Sequence, residues 1–485
     1  MKKLYFFVLV CLASLLHYGS FAQSTPELIW SKTYNGIYSD VNRLIAATSD
    51  GGFILVGDSE SYGPGILSAL LIKCNSNGDV EWQKTYGGSN FDLPMAVAQT
   101  SDGGYAIATY SNSFPPEGMN MRIIKTDALG ETQWASVVPG TNGIAMQVRG
   151  CLLPTPDNGF LVTGNKWSPP NANQIILCKL DNAGELLWTK EFGGSSDEYG
   201  ATIQATADGN FVLGGYTYTF GNGMCDGYMI KINPDGEEIW NSVVGGTDYD
   251  SYHFIRTVSD GYIGVGSAQS YGNSEQGFIV KLDNNGQLVW LKDFGGINNE
   301  SFDGIIETVN HEYLVSGTTN SYGNGMHDYL IMRISNSGEL IAMETYGGAD
   351  EDFGTNIEEI HGLGYISGGS FTDSYLDFQA ILFQADSIST NVGQLPFVSS
   401  AISINASPNP FSETLHFGFS LRESTELTIS LITMEGKSID VIYEGNLSAG
   451  EHEMNYKNNN LEPGMYLLSI QSSKQSVMKK IIRIQ

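Results

Sequence analysis

The sequence predicts an all-β fold assembled from repeated four-stranded units, and three observations lead to it. A unit of about 50 residues recurs seven times along the chain. Each unit carries four short runs of β-branched and aromatic residues, separated by Asp-Gly, Asn-Gly or Gly-Gly turns. The composition, with 58 Gly, 11% aromatic and only 16% charged residues, is typical of a turn-rich β protein.

The clearest mark of the repeat is a tryptophan near the end of each unit. Successive positions lie 50 to 54 residues apart, and Ala342 takes the seventh place in AMETYGG. Runs such as WQKTYGG (82–88) and WLKDFGG (290–296) show the shared context. The recurring tryptophans are Trp30, Trp82, Trp134, Trp188, Trp240 and Trp290.

Residues 197–245 illustrate one complete unit. Asp208-Gly209 and Asp235-Gly236 supply the positive φ angles of tight turns, while FGNGMCD (220–226) forms a longer loop. No helical periodicity of useful length interrupts the strands. The four predicted strands are ATIQAT (201–206), NFVLGGYT (210–217), GYMIKIN (227–233) and EIWNSVV (238–244).

The two ends of the repeat array complement each other. Residues 27–34 (ELIWSKTY) resemble a fourth strand with no unit before it, and the last unit ends after its third strand at 379–386 (QAILFQAD). We therefore predict a seven-bladed β-propeller over residues 23–386, closed by the N-terminal strand, because closure removes exposed sheet edges. The alternative, an open solenoid, requires capping units at both ends.

Residues 1–22 are predicted to be a secretory signal peptide. Lys2 and Lys3 precede an apolar run that ends at Leu16, and the small-residue site ends at Ala22. That run is too short to span a bilayer, and no transmembrane segment is predicted in the mature chain. Cys11 lies inside the apolar run after Val10, which argues against a lipoprotein signal.

The chain is strongly acidic, with a formal net charge of −29. Removal of residues 1–22 takes away two lysines and leaves 22 Lys and Arg against 53 Asp and Glu. Such a surface repels nucleic acid and anionic lipid, so neither is a predicted partner. Solubility outside the cell explains the charge without a specific ligand, whereas divalent cations and basic or neutral ligands stay compatible with it.

Four cysteines follow the signal peptide, and none forms a CxxC pair. Four cysteines allow three disulfide connectivities, among which the sequence does not choose. Cys74 and Cys178 lie in apolar strands at non-equivalent repeat positions, so we interpret them as buried free thiols.

The strand order sorts the loops of such a unit onto two faces. The loop after the second strand and the connection to the next unit emerge on one side, which we call the open face. The other side, the tight-turn face, has only short turns such as TSDGG (100–104) and LDNNG (282–286). Aromatic and acidic residues gather on the open face, in loops such as SYGNGMHD (321–328) and GGTDYD (245–250).

The open face is the predicted ligand-binding surface, because loops on a rigid scaffold commonly carry function and aromatic rings with carboxylates suit sugars or cations. An Asp after the Gly-Gly turn recurs in nearly every unit, which favours a structural role for it. Calcium needs several oxygen ligands, and only the loops at 248–250 and 350–352 come near that requirement. We therefore assign no cofactor and leave calcium open. The predicted ligand contacts are Tyr62, Tyr271, Tyr322, Asp248, Asp250, Asp350 and Asp352.

A basic residue recurs in the third strand of the units. An ion pair between strands, or a cation over a neighbouring aromatic ring, explains it without a function. The position holds the basic residues Lys73, Lys125, Lys179, Lys231, Lys281 and Arg333 in six units and the uncharged Gln384 in the seventh.

The common catalytic signatures are missing from the sequence. No HxH or HExxH spacing suggests zinc, and no GxSxG elbow, P-loop or Rossmann fingerprint stands between a strand and a helix. We assign no catalytic and no metal-ligating residue, and we favour binding over catalysis. An enzyme would need a cluster of non-recurring polar residues where the units meet at the central channel.

Units such as residues 192–240 resemble the bacterial secreted β-propeller repeat, with its GGs-D, DGN, GyT and KlnpdG landmarks. The resemblance covers residues 28–386 and implies the fold and export, with no uniform activity. The third unit departs from it at PGTNG (139–143), and the seventh lacks the tryptophan. The run from Asp283 to Trp290 is also similar to the tryptophan-docking motif of pyrroloquinoline-quinone propellers. A quinone dehydrogenase is the weaker inference, because no adjacent cysteine pair or clustered cofactor ligands accompany the motif.

After a polar linker at 387–403, residues 404–485 resemble the type A sorting domain of the type IX secretion system. Asn409-Pro410 opens the segment, Gly436 sits in a hairpin turn, and Gly464 with Tyr466 precedes a late strand, in the family order. Composition alone predicts a small β-sandwich. The resemblance implies the type IX secretion machinery as a partner, passage across the outer membrane, release or attachment at the cell surface, and a host among the Bacteroidota.

The predicted protein is a secreted or cell-surface binding or adhesion module for a glycan or another extracellular polymer or protein. Two alternatives stay open: a propeller hydrolase or lyase acting on polysaccharide, and a structural surface protein without a ligand.

Overall fold

The computed structural model describes residues 28–384 and 405–484, except 35, 117, 143–149, 169–171, 272–273, 324, 373–375, 422–423, 434–436, 449, 459–460 and 473–475. The predicted signal peptide (1–22) and linker (387–403) lie outside these residues. Within them the secondary structure is entirely β, so the all-β prediction is confirmed. None of the described segments is a helix able to cross a membrane.

Residues 28–384 form seven four-stranded antiparallel sheets, and consecutive strands pair within each of sheets 1 to 6. Turn residues with positive φ, such as Gly209 and Gly236, connect the strands as expected. Sheets 1 to 3 are β2 (Asp40–Ala47), β3 (Phe53–Ser59), β4 (Ser68–Cys74) and β5 (Val80–Tyr86); β6 (Asp92–Gln99), β7 (Tyr105–Ser111), β8 (Asn120–Thr126) and β9 (Thr132–Asn142); β10 (Leu152–Pro154), β11 (Phe160–Ser168), β12 (Ala172–Leu180) and β13 (Leu186–Phe192).

Sheets 4 to 6 repeat this arrangement with strands of seven to nine residues. They are β14 (Glu198–Ala205), β15 (Phe211–Thr217), β16 (Asp226–Ile232) and β17 (Glu238–Val244); β18 (Asp250–Val258), β19 (Gly261–Ala268), β20 (Gln276–Leu282) and β21 (Leu288–Phe294); β22 (Glu300–Glu307), β23 (Tyr313–Thr319), β24 (Asp328–Ile334) and β25 (Leu340–Tyr346). In sheet 4 the predicted strand at 201–206 starts earlier, because Glu198 already pairs with Thr217.

Sheet 7 joins the two ends of the array. Its strands are β26 (Phe353–Ile360), β27 (Gly364–Thr372), β28 (Leu376–Phe383) and β1 (Leu28–Tyr34). The N-terminal strand β1 pairs antiparallel with β28, from Leu28 opposite Phe383 to Tyr34 opposite Phe378. The N-terminal segment therefore occupies the place of the fourth strand that the last unit lacks.

The recurring tryptophans join neighbouring sheets. Trp30 stacks on Phe53 with ring centroids 5.8 Å apart, and Trp82 meets Tyr105 edge to face at 5.6 Å. In the sheet that follows each tryptophan, the glycine of the turn before the fourth strand lies against that tryptophan ring. A Cβ on Gly184 in sheet 3 would be 2.5 Å from the ring of Trp134 in sheet 2. In sheets 1 to 6 the glycine of this turn therefore packs against the tryptophan of the preceding sheet.

The recurring basic residues of the third strand form ion pairs on the tight-turn face, as one of the two interpretations expects. Each buried ammonium reaches the exposed carboxylate of the turn between the first and second strands, and Lys231 also lies 5.6 Å above the ring of Tyr262. The pairs are Lys73–Asp50 (2.8 Å), Lys125–Asp102 (2.8 Å), Lys179–Asp157 (2.7 Å), Lys231–Asp208 (2.6 Å), Lys281–Asp260 (2.5 Å) and Arg333–Glu312 (2.6 Å).

The first strand of sheets 1, 2, 4, 5 and 6 contains a β-bulge, and the fourth residue of the strand is the extra one. A bulge leaves one residue without a cross-strand partner and re-aims its side chain. These extra residues are Arg43, Met95, Ala201, His253 and Asp303.

The four described cysteines are buried and unpaired, which confirms the interpretation of Cys74 and Cys178 as free thiols. Burial raises the pKa of the Cys151 and Cys178 thiols to about 12. They are therefore unreactive at neutral pH.

The C-terminal residues form two sheets that share one apolar core. Phe417 and Phe419 from one sheet pack with Ile429, Leu431 and Ile470 from the other, as in a β-sandwich. The strands are β29 (Asn405–Ser407), β30 (Leu415–Leu421) and β33 (Gly450–Tyr456) in the first sheet, and β32 (Ser438–Leu447), β31 (Thr425–Thr433), β34 (Gly464–Ser472) and β35 (Ser476–Arg483) in the second.

Candidate functional site

Two of the predicted carboxylates, Asp250 and Asp352, are buried at the start of a first strand and cap the preceding Gly-Gly loop. Asp250 Oδ2 accepts hydrogen bonds from the Gly246 amide at 2.6 Å and the Ser270 hydroxyl at 2.7 Å. Asp352 accepts the amides of Gly348 (2.5 Å) and Thr372 (2.8 Å). In both residues the protein's own donors occupy the carboxylate, so each serves its loop in this structure.

The same cap recurs around the array. The amides of Gly88, Gly194 and Gly296 donate to Asp92, Glu198 and Glu300 at 2.8 to 2.9 Å. This repetition supports the structural interpretation of the recurring acidic residue.

The other two carboxylates, Asp248 and Asp350, are exposed in the loops just before these caps. Within the described residues there is no group of three or more His, Cys, Asp and Glu side chains arranged to hold a metal ion. No cofactor is assigned on this ground, and calcium is left open as it was from the sequence.

The three predicted tyrosines lie at separate inter-sheet contacts. Tyr62 packs against the core that contains Leu70 and Phe378, and Tyr271 against that of Tyr252 and Phe278. Burial raises the pKa of Tyr271 to about 12. The Tyr322 hydroxyl donates to the carbonyl of Gly295 at 2.9 Å. Each ring is partly buried, and their contacts fall in three different places rather than in one cluster.

A cluster of four other tyrosines, which we call the tyrosine cluster, stands on the open face of sheets 4 and 5. The rings of Tyr199 and Tyr216 stack with centroids 5.1 Å apart, and Tyr218 meets both at 6.2 to 6.3 Å. Tyr249 meets Tyr218 edge to face at 6.3 Å. Tyr218 and Tyr249 are each 39% exposed. The stacked inner rings thus support Tyr218, and Tyr218 in turn contacts the second outer ring, Tyr249.

The tyrosine cluster breaks the repeat. Tyr218 directly follows the second strand of its sheet, where sheets 1, 2, 5 and 6 have Glu60, Asn112, Gln269 and Asn320. The signal was present in the sequence as a departure from the repeat, but the prediction selected tyrosines of the recurring SYG loops instead.

A second non-recurring cluster, which we call the histidine cluster, involves the bulges of sheets 5 and 6. His253 Nδ1 lies 3.2 Å from Asp303 Oδ1, and its Nε2 lies 3.3 Å from Ser251 Oγ. The hydroxyls of Ser267 and Ser301 lie 3.4 Å from Nε2 and 3.2 Å from Nδ1. His253 and Asp303 are buried, whereas Ser251 is partly exposed.

The two clusters occupy equivalent places on neighbouring strands. Tyr199 is the second residue of β14 and Ser251 the second residue of β18, and these strands pack against each other. Further along, an ion pair joins Arg256 in β18 to Glu358 in β26, with the guanidinium 2.5 Å from the carboxylate. Because β26 belongs to sheet 7 and not to the next sheet, the first strands converge on a common centre.

A cavity of about 990 Å³ opens on the opposite, tight-turn face. It lies beside the short strand β10 and is lined by Trp134 and Phe160. Its charged lining residues belong to the recurring ion pairs Lys125–Asp102 and Lys179–Asp157. Since those pairs serve the fold in every sheet that has them, the non-recurring clusters of the open face are the stronger candidate site.

The comparisons with known proteins identify the C-terminal domain. Residues 405–485 match the family described as "Secretion system C-terminal sorting domain". No curated protein matches the sequence.

Solved structures resemble the chain only distantly. A protein of unknown function from Bacteroides caccae is 14% identical, with 60% of this chain and 93% of that one covered and a TM-score of 0.36. The periplasmic gluconolactonase of Pseudomonas aeruginosa is 9% identical (70% and 97% covered, TM-score 0.42). PorZ, a surface component of the type IX secretion system of Porphyromonas gingivalis, is 11% identical (91% and 81% covered, TM-score 0.25). Likenesses at this level carry no argument about function. What is shown is that residues 405–485 are the sorting domain of a secreted β protein, which is exported by type IX secretion to the outer membrane or cell surface.

Proposed function

We propose that the seven sheets are the blades of a closed β-propeller that acts as a secreted or cell-surface binding module for an extracellular glycan. Hydrogen bonds between sheets 1 and 7 support the closure. The amide of Asn42 donates to the Ser370 hydroxyl at 2.8 Å. The Asn356 side chain also exchanges two hydrogen bonds of 2.8 Å with the backbone of Ile45.

The observation that carries the binding proposal is the tyrosine cluster. An exposed tyrosine offers a broad apolar face for a sugar ring and a hydroxyl at its edge for hydrogen bonds. Tyr218 and Tyr249 are arranged edge to face, and the stacked rings of Tyr199 and Tyr216 both contact Tyr218. A rigid pair of this kind loses little conformational entropy on binding.

The charge of the protein favours a neutral or basic ligand. The net charge of −29 repels polyanions, so an uncharged polysaccharide suits this surface better than an acidic one. Export to the cell surface brings the open face into contact with such polymers.

The test is binding of the purified full chain to a panel of neutral and acidic glycans, with the double variant Tyr218→Ala/Tyr249→Ala. We expect at least one neutral glycan to bind and the double variant to lose about tenfold or more in affinity, as for removal of two anchor side chains. Tyr38→Ala is the matched control, because Tyr38 is a 50% exposed tyrosine on the open face of sheet 1.

Equal losses in the control and the double variant would contradict the assignment of the tyrosine cluster. Binding of no glycan by the wild-type chain would instead favour a structural surface protein.

A further inference from the structure

The histidine cluster contains the elements of a nucleophilic hydroxyl, a base and an orienting carboxylate. Ser251 Oγ lies 3.3 Å from His253 Nε2, and Asp303 Oδ1 lies 3.2 Å from Nδ1 of the same ring. These contacts run in the order that lets an imidazole take a proton from the serine while the carboxylate fixes its tautomer. Distances slightly above 3.2 Å are common for such groups when no substrate is bound.

The cluster is specific to two sheets. At the bulge position, sheets 1, 2 and 4 have Arg43, Met95 and Ala201 in place of His253 and Asp303. At the second residue of the first strand, Val41 and Leu93 stand where sheet 5 has Ser251. The fold therefore does not require a Ser-His-Asp arrangement at this position.

Ser251 is the nucleophile among the three serines around the imidazole. Ser267, which also contacts Nε2, is only 4% exposed, and Ser301 contacts Nδ1 on the side of Asp303. Ser251 is partly exposed, and its strand neighbour in sheet 4 at the equivalent position is Tyr199 of the tyrosine cluster. The two clusters therefore lie on first strands that pack against each other.

We propose that Ser251, His253 and Asp303 form an ester-hydrolysing site, and that its substrate is an O-acyl group carried by the bound glycan. Ser251 Oγ attacks the acyl carbonyl carbon while its proton passes to His253 Nε2. The bond to the sugar oxygen breaks, and that oxygen takes the proton from Nε2. Water then attacks the acyl carbon and gives its proton to Nε2, which returns it to Ser251 Oγ as the acid leaves. The net change is ester plus water to alcohol plus acid.

The roles of the three residues differ. Ser251 and His253 touch the reacting atoms, whereas Asp303 acts through His253 as a positioning residue. The identity of the glycan substrate rests on the proposed function, but hydrolysis of a small ester does not depend on glycan binding.

The test uses the full chain with 4-nitrophenyl acetate, followed by mass spectrometry to locate the acetylated residue. We expect slow turnover with the acetyl group on Ser251, and a loss of about 100-fold or more in kcat/KM for Ser251→Ala and His253→Gln. Asp303→Asn should lower kcat by about tenfold or more and leave KM within about twofold, because Asp303 orients the imidazole without touching the substrate. Ser267→Ala and Ser301→Ala each remove another hydroxyl contact to the same imidazole, and each should lose at least about tenfold less of kcat/KM than Ser251→Ala does.

Thermal unfolding of each variant separates misfolding from loss of the reaction, and Ser251→Ala removes only one oxygen atom. Wild-type turnover equal to that of Ser251→Ala, acetylation at another residue, or an equal loss in Ser267→Ala would overturn the proposal. Glycan binding that persists without any ester hydrolysis would leave the binding function standing and refute this inference alone.

Discussion

The tight-turn face and the open face of the repeat array are built by different rules. On the tight-turn face every described sheet except the seventh has an acidic turn residue paired with a basic residue of the third strand. On the open face sheets 4 to 6 depart from their neighbours, at Tyr218, Ser251, His253 and Asp303. A feature needed by each sheet serves the fold, whereas a feature found in one or two sheets needs another explanation. The difference between recurring and unique residues is therefore the most useful guide to the site.

The largest effect on stability is expected where sheets dock. Gly184→Ala places a methyl group 2.5 Å from the Trp134 ring at a φ of +82°, so it adds a clash to backbone strain. We expect a loss of about 2 to 5 kcal/mol in the free energy of unfolding. Gly209→Ala is the control, because its φ is +81° and nothing lies within 4 Å of the new methyl group. Thermal unfolding measures both, and equal effects would mean that docking against the ring contributes little.

A smaller and asymmetric effect is expected at the recurring ion pairs. Lys281 is 2% exposed at its side chain, but its partner Asp260 is 56% exposed. Asp260→Asn leaves a buried ammonium without its counter-charge, whereas Lys281→Met leaves a carboxylate that water can solvate. We expect Asp260→Asn to cost about 2 kcal/mol and Lys281→Met about half as much, measured by denaturant unfolding. The reverse order would show that the buried ammonium finds other partners.

The pH dependence of stability should have opposite signs on the two faces. On the tight-turn face the hydrogen bond from Lys179 lowers the pKa of Asp157 to about 2, so its stabilising contribution is present above pH 4 and lost as the pH falls toward 2. On the open face burial raises the pKa of Asp352 to about 6, with further repulsion from Asp328 and Asp350. Its contribution is present below pH 4 and lost as the pH rises through 6.

Melting temperatures at pH 4 and 7.5 check this sign. The difference in melting temperature between the wild-type chain and Asp352→Asn should shrink by a few degrees from pH 4 to pH 7.5. Such a shift corresponds to about 1 to 2 kcal/mol. The difference in melting temperature between the wild-type chain and Asp157→Asn should persist from pH 4 to pH 7.5 and disappear below pH 3. An advantage over Asp352→Asn that grows with pH would contradict the raised pKa.

Much of the scaffold could be predicted because it repeats. Seven copies of the Trp, Gly and Lys positions gave the strand pattern, and the observed bounds of β15 to β17 differ from the predicted ones by one residue at most. The recurrence of Lys73 and its equivalents indicated a structural role, and an ion pair was one of the two interpretations it allowed.

The candidate site could not be predicted in the same way, for two physical reasons. A β-bulge shifts the register within a strand, and the sequence does not show that His253 and Asp303 are the extra residues that meet. Selection of Tyr62, Tyr271 and Tyr322 by their shared SYG context favoured rings that pack between sheets. Tyr218 differs from the residues at its equivalent positions, so a comparison between units rather than a search for shared motifs would have found it.

In the proposed function, unique residues of the open face bind the glycan, whereas recurring residues hold the fold together. The most direct measurement determines glycan affinity and melting temperature together for Tyr218→Ala/Tyr249→Ala and for Gly184→Ala. We expect the tyrosine variant to lose glycan binding and to keep its melting temperature. We expect the glycine variant to have a lower melting temperature but to bind normally at temperatures below its unfolding transition. A tyrosine variant that unfolds early, or a folded glycine variant that no longer binds, would contradict it.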